Sequence, residues 1–272
     1  MKIDLHNHTI HSDGVLTEKE LIERAIKNNV DIFAITDYDS IYGCINIDDI
    51  AKNYNIKIIK GMELSTYFKG ENIHIICLFK NNIIPNNMID FSNKFREQRK
   101  NRAILMLKKI NEIYKLKVDI DLFFKESAEI VTRANMVRHI AKLNNLTLAD
   151  AKKYCEPQSK AYIPSTKLSI EDGLTLAREE NCLTILAHPC LIKNQDYVEE
   201  ILKYGFDGIE VRYPNHFDME NHYKDLAKKY NLFISAGSDC HGDSTHADIG
   251  TATLNEIEAK PILDYLNFKE WY

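Results

Sequence analysis

The chain has 272 residues, of which 44% are hydrophobic and 28% are charged, and its formal net charge is −5. These fractions are typical of a globular protein and exclude a disordered or collagen-like chain, and the slightly acidic balance excludes a protein that coats polyanions. No apolar run reaches the about 20 residues of a membrane span, so no membrane association is expected. Six scattered cysteines without a CxxC pair indicate reduced thiols and a cytoplasmic protein.

Seven short β-branched runs alternate with helical patterns along the chain. This alternation is typical of βα units and predicts an α/β fold with a largely parallel sheet, either closed into a barrel or open. The predicted strands are Lys2–Leu5, Asp31–Thr36, Ile56–Met62, Ile73–Phe79, Leu183–Ala187, Gly208–Val211 and Leu232–Ala236.

Two local signals set boundaries early in the chain. Thr17 and Glu20 form a capping box ahead of apolar residues at helical spacing, which predicts the start of a helix. Further on, Glu63–Phe68 and Ile73–Phe79 flank a polar tetrapeptide, Lys69-Gly70-Glu71-Asn72. This pattern predicts a β-hairpin with a four-residue turn.

The alternation of predicted strands and helices is interrupted between residues 85 and 167. Phe91–Tyr114 is long, helical and rich in lysine and arginine, and further helical patterns follow at Ala134–Leu143 and after Thr147. We therefore predict an inserted helical domain over residues 85–167, with residues 1–84 and 168–272 forming the α/β domain. The basic residues of the long helix form either a solvated face or a rim that attracts phosphate.

The first predicted strand leads into a candidate metal site. Side chains alternate along a strand, so His6 and His8 share one face and two imidazoles can bind one metal ion. Asp13 follows in a turn within reach of the same strand end. An HxH pattern alone is weak evidence, and the case depends on the other strand ends.

Further candidate ligands follow later strands. Glu63 ends the third predicted strand, and the hairpin returns His74 over the same end, whereas His188, Asp239 and His241 follow the fifth and seventh strands. Ligands gather at the carboxyl ends of parallel strands in α/β folds. Mixed carboxylates and imidazoles suit Zn, Mn or Fe and disfavour Ca or Mg.

Taken together, these segments resemble the motifs of the PHP (polymerase and histidinol phosphatase) family. The matching segments are DLHNHTIHSDG, AITDYDS, GMELS, HIICLF, ILAHP, GIEV and SAGSDCHG. The resemblance implies a distorted (β/α)7 barrel with an inserted all-helical cap domain. It also implies a phosphoesterase centre of two to three divalent metal ions, Mn, Fe or Zn, at the barrel mouth.

The resemblance further implies which residues hold each metal. The residues that resemble the ligands of a first metal are His6, His8, Glu63 and Asp239. A bridging Glu63 together with His74 and His188 resembles the second set. Asp13 and His241 resemble ligands of a third metal.

Tyr38 departs from the family pattern, which usually has histidine at this position. A phenol, with its free pKa near 10, ligates metal less readily than imidazole. With Asp13 and His241 as the remaining ligands, we expect two tightly bound metals and a third site that is empty or filled only with substrate present.

Substrate contacts are also implied by the resemblance. Arg133 precedes a predicted helix where the family has an arginine, and its planar guanidinium suits a phosphate. Arg138 lies close by, although both arginines also fit an ordinary helix surface. His216 matches a position near the substrate and either contacts phosphate or protonates the leaving oxygen, a catalytic role also expected of Asp13 and His241.

The sequence thus predicts a metal-dependent phosphoesterase in which a metal-bridging hydroxide attacks phosphorus. The predicted substrate is a small phosphorylated metabolite, a nucleotide or nucleoside bisphosphate above all, and no obligate protein partner is expected. Alternatives are a phosphodiesterase for cyclic sugar phosphates or short oligonucleotides, a histidinol-phosphate phosphatase, an amidohydrolase and a non-enzymatic metal-dependent interaction module. Trp271 is predicted to be a packing residue.

Overall fold

The computed structural model describes residues 1–127, 131–164 and 167–268, so Trp271 lies outside the described residues. The strands are β1 (Ile3–Asp4), β2 (Ile32–Ile35), β3 (Lys57–Phe68), β4 (Glu71–Leu78), β5 (Leu168–Ser169), β6 (Leu183–Leu186), β7 (Gly208–Arg212) and β8 (Phe233–Ala236). The α-helices are α1 (Glu18–Lys27), α2 (Tyr42–Ile45), α3 (Ile47–Ala51), α4 (Asn86–Tyr114), α5 (Ile120–Glu126), α6 (Arg133–Asn144), α7 (Leu148–Lys152), α8 (Ile170–Glu179), α9 (Asp196–Leu202), α10 (Glu220–Tyr230) and α11 (Glu256–Tyr265).

Seven strands form one nearly closed sheet in the order β1-β2-β3-β4-β6-β7-β8, and β5 pairs with β3 outside this path. β1 to β3 are parallel, as are β6 to β8, whereas β4 is antiparallel to both neighbours. Leu5 N donates a hydrogen bond to Ala236 O at 3.0 Å, and Asp239 N donates to His6 O at 2.9 Å. These bonds join the last strand to the first, which confirms the predicted distorted seven-stranded α/β barrel.

The barrel strands are buried on both faces. On β2, Ile32 and Ala34 belong to one apolar cluster with residues of α11, whereas Phe33 and Ile35 pack in a second cluster with residues of α1. Burial on both faces explains why the sequence shows continuous apolar runs and not a polar–apolar alternation.

The hairpin between β3 and β4 is tighter than predicted. Phe68 pairs directly with Glu71, so Lys69 and Gly70 alone form the turn, with φ of 46° and 88°. A two-residue turn with positive φ at both positions matches the twist of the two strands. The four-residue turn was therefore a wrong prediction, and Glu71 and Asn72 belong to β4.

Capping boxes fix the starts of three helices in the described chain, α1, α6 and α11. Thr17 and Glu20 cap α1 as predicted, each side chain accepting a hydrogen bond from the backbone of the other. Thr132 and Asn135 form the same arrangement at α6. Asn135 therefore helps to cap the helix whose first residue is Arg133.

Between β4 and β5 the regular elements of the described chain are mainly helices. Helices α4 to α7 share an apolar cluster that includes Met106, Ile110 and Phe123. Arg99 on α4 forms an ion pair with buried Asp39, which follows β2. This contact holds the helical segment beside the carboxyl ends of the barrel strands. Of the helices in the described ranges, none is long and apolar enough to cross a bilayer.

Candidate metal centre and its surroundings

Buried imidazoles and carboxylates converge at the carboxyl ends of the barrel strands. His6 and His8 follow β1, and their Nε2 atoms are 3.2 Å apart. Glu63 lies within β3, and its Oε2 is 3.0 Å from His6 Nε2 and 3.1 Å from His8 Nε2. Asp239 follows β8 and places Oδ1 3.0 Å from His8 Nε2 and 3.5 Å from His6 Nε2. The structure thus brings these four residues together as the first set.

The other carboxylate oxygen of Glu63 faces a second set. His74 Nδ1 on β4 and His188 Nε2 after β6 each lie 3.0 Å from Glu63 Oε1. One buried carboxylate therefore contacts imidazoles of both sets. This is the arrangement that a bridging ligand requires.

A third group lies beside the first set. Asp13 Oδ1 is 3.2 Å from His241 Nε2, and these residues and His8 bring donor atoms within 4.8 Å of one another. Tyr38 contacts the same imidazoles through its ring, with centroids 4.5 Å from His8 and 6.2 Å from His241. Burial and the surrounding carboxylates raise the pKa of Tyr38 well above its ordinary value, so the phenol is neutral.

In the first set, the carboxylates favour the protonated form of the imidazoles, and the imidazoles favour the ionised form of the carboxylates. Burial alone would lower the pKa of His8, but hydrogen bonds to Asp239 and Glu63 and the charges of both carboxylates raise it to about 10. Burial would raise the pKa of Glu63, yet the charge of His6 and the other imidazoles hold it well below its ordinary range. The pKa of Asp239 is likewise held low by imidazoles against the effect of burial. In the metal-free protein, protons therefore occupy positions that a cation would take.

The donor atoms fit divalent transition metals. Asp13 Oδ1 and His74 Nδ1 are buried without a hydrogen bond of good geometry to any described residue. A metal ion bound beside these atoms would satisfy their lone pairs. Each of the three groups also gathers its donors within 4.8 Å. Mixed imidazole and carboxylate ligands suit Zn, Mn or Fe.

The loop after β7 adds a residue that the sequence did not predict. Tyr213 Oη donates a 2.8 Å hydrogen bond to Asp239 Oδ2 and so orients a residue of the first set. His216, which was predicted near the substrate, is half-buried with its ring 6.1 Å from that of Tyr213. Its ring contacts that of Tyr213, which in turn binds Asp239. Tyr213 follows the same predicted strand as His216, so its position at a strand end could also have indicated that it belongs to the site.

A cavity of about 550 Å³ opens beside the metal centre and shares His74 with it. Its basic lining residues are Arg99, Arg102, Arg133, Lys167 and Lys193. Of these, the sequence singled out Arg133 and placed Arg99 and Arg102 in a basic run.

Arg138 does not line this cavity. It lies in a separate cavity of about 200 Å³ within the helical segment. The reason is helix geometry, since residues five apart on α6 point about 140° apart around the axis. The structure therefore does not bring Arg138 to the cavity that Arg133 lines.

Comparison with known proteins relates this geometry to a family. The family model of the PHP domain matches residues 4–176. A 5′-3′ exoribonuclease from Haemophilus influenzae is 27% identical over 88% of this chain and 90% of its own length. A 3′,5′-nucleoside bisphosphate phosphatase from Chromobacterium violaceum is 27% identical over 88% of this chain and 87% of its own. The structure of a protein from Bifidobacterium adolescentis has a TM-score of 0.82 at 20% identity, covering 97% of this chain and 96% of the other, so the fold is shared.

These matches agree with the site. The family model covers more than half of the chain, from β1 into α8. Both relatives are enzymes that cleave phosphate esters, and the described donor groups suit metal-assisted hydrolysis. The predicted enzyme class, a metal-dependent phosphoesterase, is confirmed. The chain belongs to the PHP domain family.

Proposed function

We propose that the protein removes a phosphate from nucleoside 3′,5′-bisphosphates, with one phosphate at the metal centre and the other in the basic cavity. The observation that carries this proposal is the cavity of about 550 Å³ that shares His74 with the second set. Its volume lies within the roughly 300–1,000 Å³ of small-molecule sites. A phosphate at the metal centre therefore leaves room for the rest of a nucleotide beside it.

The charge of the cavity supports an anionic ligand. Burial and the charges of the cavity's three arginines lower the pKa of Lys167, which shows how closely the cations are crowded. Glu71, the acidic lining residue, is engaged elsewhere, because its oxygens accept the backbone N–H groups of Lys193 and Asn194 at 2.7 and 3.0 Å. Arg99 is paired with Asp39, but no described carboxylate forms an ion pair with the other basic lining residues, and a second phosphate would neutralise their charge.

Aromatic side chains in the same cavity favour a nucleoside over a bare sugar phosphate. Phe95 and Tyr162 line it, and the guanidinium groups of Arg99 and Arg102 lie over their rings at 5.5 and 5.4 Å. Aromatic rings and guanidinium planes are surfaces on which a nucleobase stacks. We therefore propose residues 85–167, which supply these side chains, as a cap domain on the barrel of residues 1–84 and 168–272.

The chemistry follows from the donor groups. Two divalent ions would activate water at neutral pH and neutralise charge on the phosphoryl oxygens. The residues that would hold them are His6, His8, Glu63, His74, His188 and Asp239. Asp13 and His241 stand beside them and, with or without a third ion, stabilise or protonate the leaving oxygen. We propose His216 as a further donor at the rim and Arg133 as the contact to the second phosphate.

A second candidate is hydrolysis of the 5′ end of a short oligoribonucleotide. The similarity to the Haemophilus influenzae exoribonuclease favours it. Its terminal nucleotide also carries a phosphate on each side, so the same cavity would receive it.

The test measures hydrolysis by protein reconstituted separately with Mn²⁺, Fe²⁺ or Zn²⁺. The substrates are adenosine 3′,5′-bisphosphate, the two adenosine monophosphates, a 5′-phosphorylated dinucleotide, a cyclic ribose phosphate and histidinol phosphate. If the second phosphate contributes about 1.5–3 kcal/mol, the bisphosphate should exceed each monophosphate about 10- to 150-fold in kcat/KM. Equal values would contradict the proposal, and a higher value for the dinucleotide would establish the second candidate instead.

A further inference from the structure

Glu210 is a fully buried carboxylate on β7 that none of the three donor groups includes. Its Oε2 accepts the backbone N–H of His188 at 2.6 Å, and its Oε1 lies 3.4 Å from His6 Nδ1. It therefore touches one residue of the first set and one of the second. Glu63 contacts both sets through their metal-facing nitrogen atoms. Glu210 contacts both sets through other atoms, His6 Nδ1 and the backbone N–H of His188.

The contact with His6 has a defined chemical consequence. His6 Nε2 faces Glu63 and Asp239, so Nδ1 is the nitrogen that points away from the donor cluster. A carboxylate at Nδ1 favours a proton there and leaves the Nε2 lone pair for a metal. Gly237 makes this approach possible, because a Cβ at that position would lie 2.1 Å from His6 Cβ and 2.7 Å from Glu210 Oε1.

The contact with His188 acts on the backbone. His188 has φ 26° and ψ 60°, a positive φ in a residue that is not glycine. Such conformations persist only where surrounding contacts determine them. The hydrogen bond to Glu210 is one such contact, and it holds the backbone in the conformation that directs Nε2 to Glu63 Oε1 at 3.0 Å.

We propose that Glu210 is a positioning residue that sets the two halves of the metal centre relative to each other, by orienting the His6 ring and fixing the His188 backbone. The inference concerns metal binding alone and does not depend on which substrate the enzyme hydrolyses. Mutation of a residue that holds the far ring nitrogen of a metal-binding histidine commonly changes metal affinity 10- to 100-fold.

Glu210→Gln tests this directly. The glutamine carbonyl can still accept the His188 N–H, but its amide N–H groups then face His6 Nδ1 and favour the tautomer with a proton on Nε2. We expect one tight Mn²⁺ equivalent to bind about 10- to 100-fold more weakly than in the parent protein. The measurement is calorimetric titration of metal-depleted protein with Mn²⁺, together with the melting temperature of the metal-free protein.

Glu220→Gln is the matched control, because Glu220 follows β7 on α10 and pairs with Arg212 outside the centre. It should leave Mn²⁺ binding unchanged. Parental affinity in Glu210→Gln would overturn the proposal, and so would a lower metal-free melting temperature with unchanged affinity, which indicates a merely structural role. If that variant does not fold, Glu210→Asp gives the same test, because its shorter side chain cannot reach both partners.

Discussion

Replacing Glu63 by glutamine should disable both halves of the metal centre at once. Glu63 Oε2 lies 3.0–3.1 Å from the Nε2 atoms of His6 and His8, and Oε1 lies 3.0 Å from His74 and His188. Glutamine can turn its carbonyl oxygen toward one of these pairs only. It then directs two N–H donors at the other pair, where an ion requires a negative oxygen.

The size of the effect follows from burial. Removing one partner of a buried ion pair costs about 3–5 kcal/mol, which corresponds to a loss of roughly two to four powers of ten in metal affinity. The set that faces the amide should lose its ion at micromolar free metal, and the other set should bind more weakly. Phosphate release should fall below detection, because the chemistry needs both ions.

The assay is elemental analysis after dialysis against a fixed concentration of free Mn²⁺, with phosphate release measured on the same samples. Glu200→Gln serves as the control, since Glu200 is an exposed partner of Lys69 and should have no effect on either quantity. The melting temperature of the metal-free variant shows whether it is folded. A folded Glu63→Gln protein with parental metal content and activity would refute the bridging role.

Three further predictions concern the third group, the basic cavity and protons. Tyr38→Phe should leave metal content unchanged and Tyr38→His should raise it by about one equivalent, whereas loss of an equivalent in Tyr38→Phe would show that phenolate is a ligand. Arg133→Ala should lower kcat/KM for the bisphosphate about 10- to 150-fold with unchanged metal content. Arg138→Ala is the control and should leave kcat/KM unchanged, because Arg138 lines the separate cavity. Equal effects of the two substitutions would show that Arg133 does not contact the substrate. Because the pKa of His8 is about 10 in the metal-free protein, metal must displace its proton at pH 7, so Mn²⁺ affinity should rise about tenfold per pH unit between pH 6 and 9 for each proton displaced. Calorimetry in buffers of different ionisation enthalpy measures that release, and an affinity independent of pH would contradict it.

The strand ends were predictable from the sequence because the signal there is local. Short apolar runs mark where each strand stops, and the ligand types stand immediately after or within those runs. Parallel packing then brings His6, Glu63, His188 and Asp239 to one face whatever the details of the barrel. The length of the turn at Lys69 and Gly70 was harder to predict from the sequence. It depends on the register of the two strands, and that register requires positive φ at both residues.

Other parts of the site depend on tertiary contacts that leave no local pattern. Glu210 stands in GIEV, one of the segments that resemble the family motifs, but nothing local indicates that its carboxylate contacts His6 and the backbone of His188. Lys193 reaches the basic cavity from the loop after β6, far in sequence from Arg99 on α4. Nothing in either segment indicates the other, so the sequence predicted Arg133 and a basic run on the long helix but not the cavity that they share with Lys193.

The hydrogen bonds that join β8 to β1 have a consequence for biosynthesis. Chains are made from the N-terminus, so His6 and His8 leave the ribosome long before Asp239 exists. Until then, the first set lacks one of its two carboxylates, and the barrel lacks the strand that closes it. A nascent chain therefore cannot use a fully liganded metal in the first set as a template for early folding, and complete ligation of that set must await synthesis of β8 and Asp239.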